Sequence, residues 1–128
     1  MLKLAHCRRK YYAPLRAIYQ NKPKSEGAIT CTTMIDKISK LYKIEKKLRK
    51  RLNDKEINEN EFPEHRKKEF TTIIEIIKQY AIDRLDVHEN ELKLTQALNY
   101  TLNQLPYLTN YLYYKDINLD NNEAERSI

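Results

Sequence analysis

The chain of 128 residues contains one glycine, Gly27. That count constrains the fold more than any motif does. Antiparallel sandwiches and barrels need many tight turns, and tight turns draw on glycine. The phosphate-cradling loop, the dinucleotide loop and the nucleophile elbow of hydrolases each need at least two glycines at fixed spacing, so all three are excluded. Lys, Glu, Leu, Ile, Asn and Tyr dominate what remains, and this is helix-compatible material. The expectation is a mainly α fold: a helical hairpin or small bundle.

Hydrophobic spacing places the helices. In residues 31–52, Ile35, Ile38, Leu41, Tyr42, Leu48 and Leu52 recur at helical intervals, with Thr32 or Thr33 as a cap. A second stripe, Phe70, Ile73, Ile74, Ile77, Tyr80, Ala81 and Leu85, marks a helix over 64–85. A third covers 89–104 through Leu92, Leu94, Ala97, Leu98 and Leu102, and Pro106 should start or kink another short helix. Residues 5–20 read as a helix whose apolar positions are Ala5, Tyr12, Leu15, Ile18 and Tyr19, with Pro14 as a kink or first-turn residue. The segments NKPKSEG at 21–27 and NDKEINENEFP at 53–63 read as breaks. Near the end, Ile117 and Leu119 alternate with Asp116, Asn118 and Asp120, which fits at most one short strand at 116–119.

The net charge of +6 conceals an asymmetry. Residues 1–51 carry 15 Lys and Arg against three acids, a balance of +12, while residues 52–128 sum to −6. A basic half suggests a polyanion partner through phosphate attraction, with Arg8, Arg9, Lys10, Lys46, Lys47, Arg49, Lys50 and Arg51 as the candidate DNA-binding residues. A solvated face pairing with the acidic half is the plainer reading. No apolar run is long enough to span a membrane, and no apolar stretch follows the basic start to make a signal peptide, so a cytoplasmic chain is expected. Cys7 and Cys31 have neither CxxC nor zinc spacing and read as free thiols. His6 beside Cys7 is no nucleophile pair, because neighbours on a helix point about 100° apart.

The chain ends DNNEAERSI. Asn122 with Glu125, and Asp120 with Glu123, have capping-box spacing, so a helix begins there on local grounds alone. The opening of an EF-hand loop is also visible, but Glu125 stands where that loop needs glycine.

LDNNEAERSI also resembles the terminal catalytic signature of insertion sequence 66 family transposases: a strand, then DNN, two variable residues and Glu-Arg. AHCRRKYY at 5–12 is similar to the same family's upstream segment, and YTLNQLPYLTNYL at 100–112 to its Tyr-x-Leu-Asn…Leu-Thr-x-x-Leu stretch. The resemblance covers nearly the whole chain. It implies a DDE-type enzyme with a ribonuclease-H-like core, in which two Asp and one Glu hold two Mg2+ ions for cutting and joining DNA strands at transposon ends. Glu125 matches the catalytic, metal-binding glutamate; Asp120, Asn121, Asn122 and Arg126 match its flanks, and His6, Arg8 and Arg9 the upstream motif. The layout it implies is a motif helix at 1–22, a helical insertion at 31–112 and a terminal strand and catalytic-Glu helix at 116–128, all within one truncated domain. Both catalytic Asp would lie upstream of Ala5, so the chain is expected to be inactive alone, with no metal bound. Without the rest of that sheet, Ile117 and Leu119 are expected to be exposed and to invite homo-oligomers. The alternative is a non-enzymatic basic helical protein that binds nucleic acid or an acidic partner. A purely structural bundle is a third reading.

Overall fold

The computed structural model describes residues 4–112 and Leu119. Four helices account for most of them: α1 Leu4–Ala17, α2 Glu26–Asn53, α3 Glu61–Val87 and α4 Leu92–Tyr111. Each packs on its chain neighbours, and α1 closes the ring against α4. Short connections make successive helices antiparallel. Cys7 faces Thr101 and Tyr11 faces Ala97 across the α1–α4 seam. The start of α1 therefore lies beside the end of α4. The fold is a mainly α four-helix bundle, and no strand occurs among the described residues. The expected strand at 116–119 and the terminal helix lie outside them, except for Leu119, which sits in a turn.

α2 begins five residues before its first expected residue. Ser25 is its cap: the hydroxyl accepts from the Ala28 amide at 3.2 Å and donates to the Lys22 carbonyl at 2.8 Å. Gly27 thus lies inside the helix rather than in a break. Its missing Cβ makes room for Tyr19, whose ring atoms lie as little as 2.2 Å from where that carbon would stand. The far end of α2 closes on Lys55, the one described non-glycine residue with positive φ, at 61°. The Lys55 amide donates to the Leu52 carbonyl at 3.1 Å and the Glu56 amide to the Arg51 carbonyl at 2.9 Å, which is a Schellman closure.

α3 begins with reciprocal bonds between Asn58 and Glu61. Asn58 Oδ1 accepts from the Glu61 amide at 2.8 Å, and Glu61 Oε1 accepts from the Asn58 amide at 3.0 Å. Pro63 falls in the first turn, where its missing N–H is harmless. Pro106 neither starts nor separates a helix: α4 runs through it. One lost backbone bond is outweighed there by the burial of Leu98, Leu105, Leu108 and Tyr111 on both sides of the proline.

The core joins Leu4, Cys7, Tyr11, Met34, Ile38, Leu41, Phe70, Ile77, Leu94 and Leu98. A smaller cluster of Leu48, Ile57 and Phe62 closes the α2–α3 tip. The buried face of α1 differs from the one expected. Leu4, Cys7, Tyr11 and Pro14 point inward, Tyr12 and Leu15 are half-buried on the flank, and Ile18 is exposed beyond the helix end. A 3-4-3 spacing of residues serves two neighbours at once, α2 and α4, and Tyr12 and Leu15 flank it. Leu119 is also buried against the core, so it is not the exposed apolar edge that was expected.

Candidate nucleic-acid interface

The outward face of α2 is basic. Lys40, Lys43, Lys47 and Lys50 follow one another at helical spacing, with Lys46 alongside, and all five are exposed. The stripe is about 15 Å long at 1.5 Å of rise per residue. None of the five pairs with a carboxylate among the described residues. Arg8 joins the stripe from α1, its guanidinium 4.4 Å from the centre of the Tyr42 ring, next to Lys43 in the chain and one turn before Lys46.

The remaining basic candidates go elsewhere. Arg9 is exposed on α1. Lys10 lies on the opposite side of α1 from Arg8, 4.7 Å above the Tyr100 ring, so it borders α4 instead of the α2 stripe. Arg49 turns inward, 3.4 Å from Glu45 and 4.6 Å above the Phe62 ring, and Arg51 pairs with Glu56 at 3.5 Å. His6 is exposed with its ring edge-on to Tyr100, while Cys7 is buried against Thr101, so the two do not meet. Burial pushes the Cys7 thiol up to about 11, and Cys31 likewise to about 11. Both are inert thiols, not nucleophiles. Asp120, Asn121, Asn122, Glu125 and Arg126 lie outside the described residues.

Two buried polar clusters were not foreseen. In the first, fully buried Arg66 meets Glu45 twice, Nε to Oε1 at 3.0 Å and a terminal nitrogen to Oε2 at 2.8 Å. The Tyr111 hydroxyl donates to Glu45 Oε2 at 2.7 Å, and the Phe62 and Tyr111 rings lie 4.4 and 4.5 Å from the guanidinium. Burial, then the Glu45 charge, raises the Tyr111 hydroxyl above the usual phenol range. The signal was present in the sequence: Glu45 falls in phase with Ile38, Leu41 and Leu48, and Arg66 with Phe62 and Phe70.

In the second, His88 is fully buried between Thr30 Oγ1 on Nε2 and Glu91 Oε1 on Nδ1, each at 2.8 Å. The hydroxyl–imidazole–carboxylate order is that of a hydrolase triad. Thr30 is fully buried, however, and its oxygen accepts from Arg84 Nε at 2.8 Å, so no substrate reaches it. Glu91 also accepts from the Tyr19 hydroxyl. That bond first, and His88 second, holds its carboxyl below the ordinary range. The cluster ties the connecting segments together and has no catalytic access.

Among the described residues no three His, Cys, Asp or Glu side chains come together as a metal site. Glu45 and Glu91 are committed to Arg66 and His88. The described donor set therefore does not fit a two-metal centre.

Fold and face together define a four-helix bundle whose α2 lysines at 40, 43, 46, 47 and 50 are exposed and have no carboxylate partner among the described residues. The chain belongs to the IS66 transposase family: the family described as "Transposase IS66 family" matches residues 3–128. No curated protein and no solved structure matches it.

Proposed function

We propose that this chain is the helical portion of a DDE-type transposase, gripping DNA through phosphates along α2 and carrying the catalytic Glu125 in its terminal segment. One observation carries the reading: a chain of the transposase family holds exposed lysines at 40, 43, 46, 47 and 50 with no carboxylate partner among the described residues. Such a stripe contacts backbone phosphate and carries no base readout. The transposon ends are the DNA expected in the complete enzyme. Strand cutting and joining needs two Asp beside Glu125, to be supplied by another segment or chain. On this reading the chain alone neither cuts nor joins DNA.

Binding of a fluorescent duplex across a salt series tests the grip. Five lysines and Arg8 predict a slope of log K against log salt of about −5, at about −0.9 per phosphate contact. Changing Lys40, Lys43, Lys47 and Lys50 together to Gln should flatten that slope by about 3 to 4. An unchanged slope refutes the α2 interface. Divalent-dependent nicking by the chain alone, lost in Glu125→Gln, refutes the second part.

A further inference from the structure

A groove of about 340 Å³ runs between α1 and α4, on the side of the bundle away from the lysine stripe. Its floor is small and apolar: Ala13, Pro14, Ala17, Ile18 and Ala97. Lys10 and Lys93 stand on its rim and no carboxylate lines it. Ile18 is 48 % exposed and Leu92, beside Lys93, is 69 % exposed, so the apolar surface continues past the groove onto the bundle end. Alanines on both walls leave the width that a helix needs to approach.

The same chain displays a face of opposite character. The outer side of α3 exposes Ile76 and Ile82, each 43 %, and Val87, 49 %. Glu75, Asp83 and Asp86 are exposed among them, with Lys78 the one exposed base from 75 to 87 and Gln79 donating to Asp83 at 2.8 Å. Both surfaces lie at the connecting-loop end of the bundle, where α1 ends, α3 ends and α4 begins. They are level along the bundle axis. From Lys10 to Ile18 the groove runs about 12 Å, and from Ile76 to Asp86 the acidic face runs about 15 Å, at 1.5 Å per residue.

We propose that the α1–α4 groove docks the outer face of α3 from a second copy of this chain. The isoleucines enter the alanine-floored groove, and Asp83 and Asp86 meet Lys10 and Lys93. Groove and face are different surfaces, so the contact is head-to-tail and each pair of copies keeps one free groove and one free face. The α2 lysines belong to neither surface, which leaves them open to DNA along an array. The patch is small, which sets a weak, transient interface that salt loosens.

Sedimentation velocity of the full chain over a concentration series at low salt tests this. The expected result is association that grows with concentration and fades with salt. Lys10→Glu with Lys93→Glu should weaken it about tenfold or more, and so should Asp83→Lys with Asp86→Lys, as charge reversals opposite a like charge do. Asp83, Asp86 and Lys93 are exposed and Lys10 is half-buried over the Tyr100 ring, so circular dichroism is used to check that each variant folds. Ala17→Glu, a single exposed change in the groove floor, should have the same effect. The decisive arm mixes the two double variants. The intact face of one fits the intact groove of the other, and the reversed groove and reversed face again carry opposite charges, so the association that each variant lost alone should return in the mixture. A wild-type chain that stays monomeric, association that ignores both double variants, or a mixture that stays monomeric each overturns the proposal. Duplex binding along α2 is read separately, so failure here leaves the DNA reading standing.

Discussion

Arg66 is the largest fully buried side chain of the bundle, and its guanidinium charge is met by Glu45. Replacing it with Met keeps the volume and removes the charge. Glu45 would keep Tyr111 and Arg49, so its carboxylate would not be stranded. The expected loss is about 3 kcal/mol, the low end for breaking a buried ion pair. For a domain of this size that is a fall in Tm of roughly 10–15 °C. Replacing Glu45 with Met as well removes the second buried charge, but strands the Tyr111 hydroxyl without its acceptor. An unsatisfied buried hydroxyl costs about 1–3 kcal/mol, so the double variant should recover only part of the stability. Adding Tyr111→Phe should recover most of the rest, because an apolar cluster of equal volume commonly matches a buried pair. Arg49 is one-third exposed in its side chain and can turn to water. Urea unfolding with an unchanged m value is the assay. A single variant that loses less than about 1 kcal/mol, or a triple variant no more stable than the single one, refutes this account of the cluster.

Two further predictions rest on other features. Lys55→Gly removes the left-handed penalty at the end of α2 and should stabilise the bundle by about 0.5–1 kcal/mol in the same assay; a destabilised variant would show that the lysine side chain matters more than its backbone. Cys7 and Cys31 should resist iodoacetamide at pH 8 while folded and react once urea unfolds the chain. Burial raises both thiols from about 9 to about 11, so the folded state keeps protons that the unfolded state sheds. Their contribution is therefore complete below pH 9 and is lost as pH rises towards 11, and stability should fall across that window. Rapid labelling of the folded chain would contradict it.

The sequence was most legible where apolar residues recur without interruption. The spacing in 31–52 and 64–85 located α2 and α3, whose cores the structure extends to Glu26–Asn53 and Glu61–Val87. The extensions were hidden because they begin in polar, proline-bearing segments whose caps, Ser25 and Asn58, act through side-chain bonds that periodicity does not register. Pro106 was misleading for the opposite reason: a local rule yielded to packing on both sides of it. The basic residues were visible as a group but not as faces. Only the helical register separates Arg8, on the Tyr42 side of α1, from Lys10, on the Tyr100 side. The Glu45–Arg66 pair could be found only by trusting the phase of charged residues over their polarity.

The polar clasps do not hold the four helices equally. Glu45, Arg66 and Tyr111 bind α2, α3 and α4 to one another, and Thr30, Arg84, His88 and Glu91 do so again at the other end. α1 is the shortest helix, carries Pro14 inside it, and contributes no side chain of its own to either clasp, although Tyr19 just beyond its end donates to Glu91. Its attachments are apolar contacts, the rings under Arg8 and Lys10, and the bonds of Cys7 and Tyr11 to α4. In a bundle that opens in parts, α1 is then the first cooperative unit to detach, leaving a three-helix remainder still latched at both ends. Its departure would take Arg8 from the basic stripe and one wall from the groove in a single event.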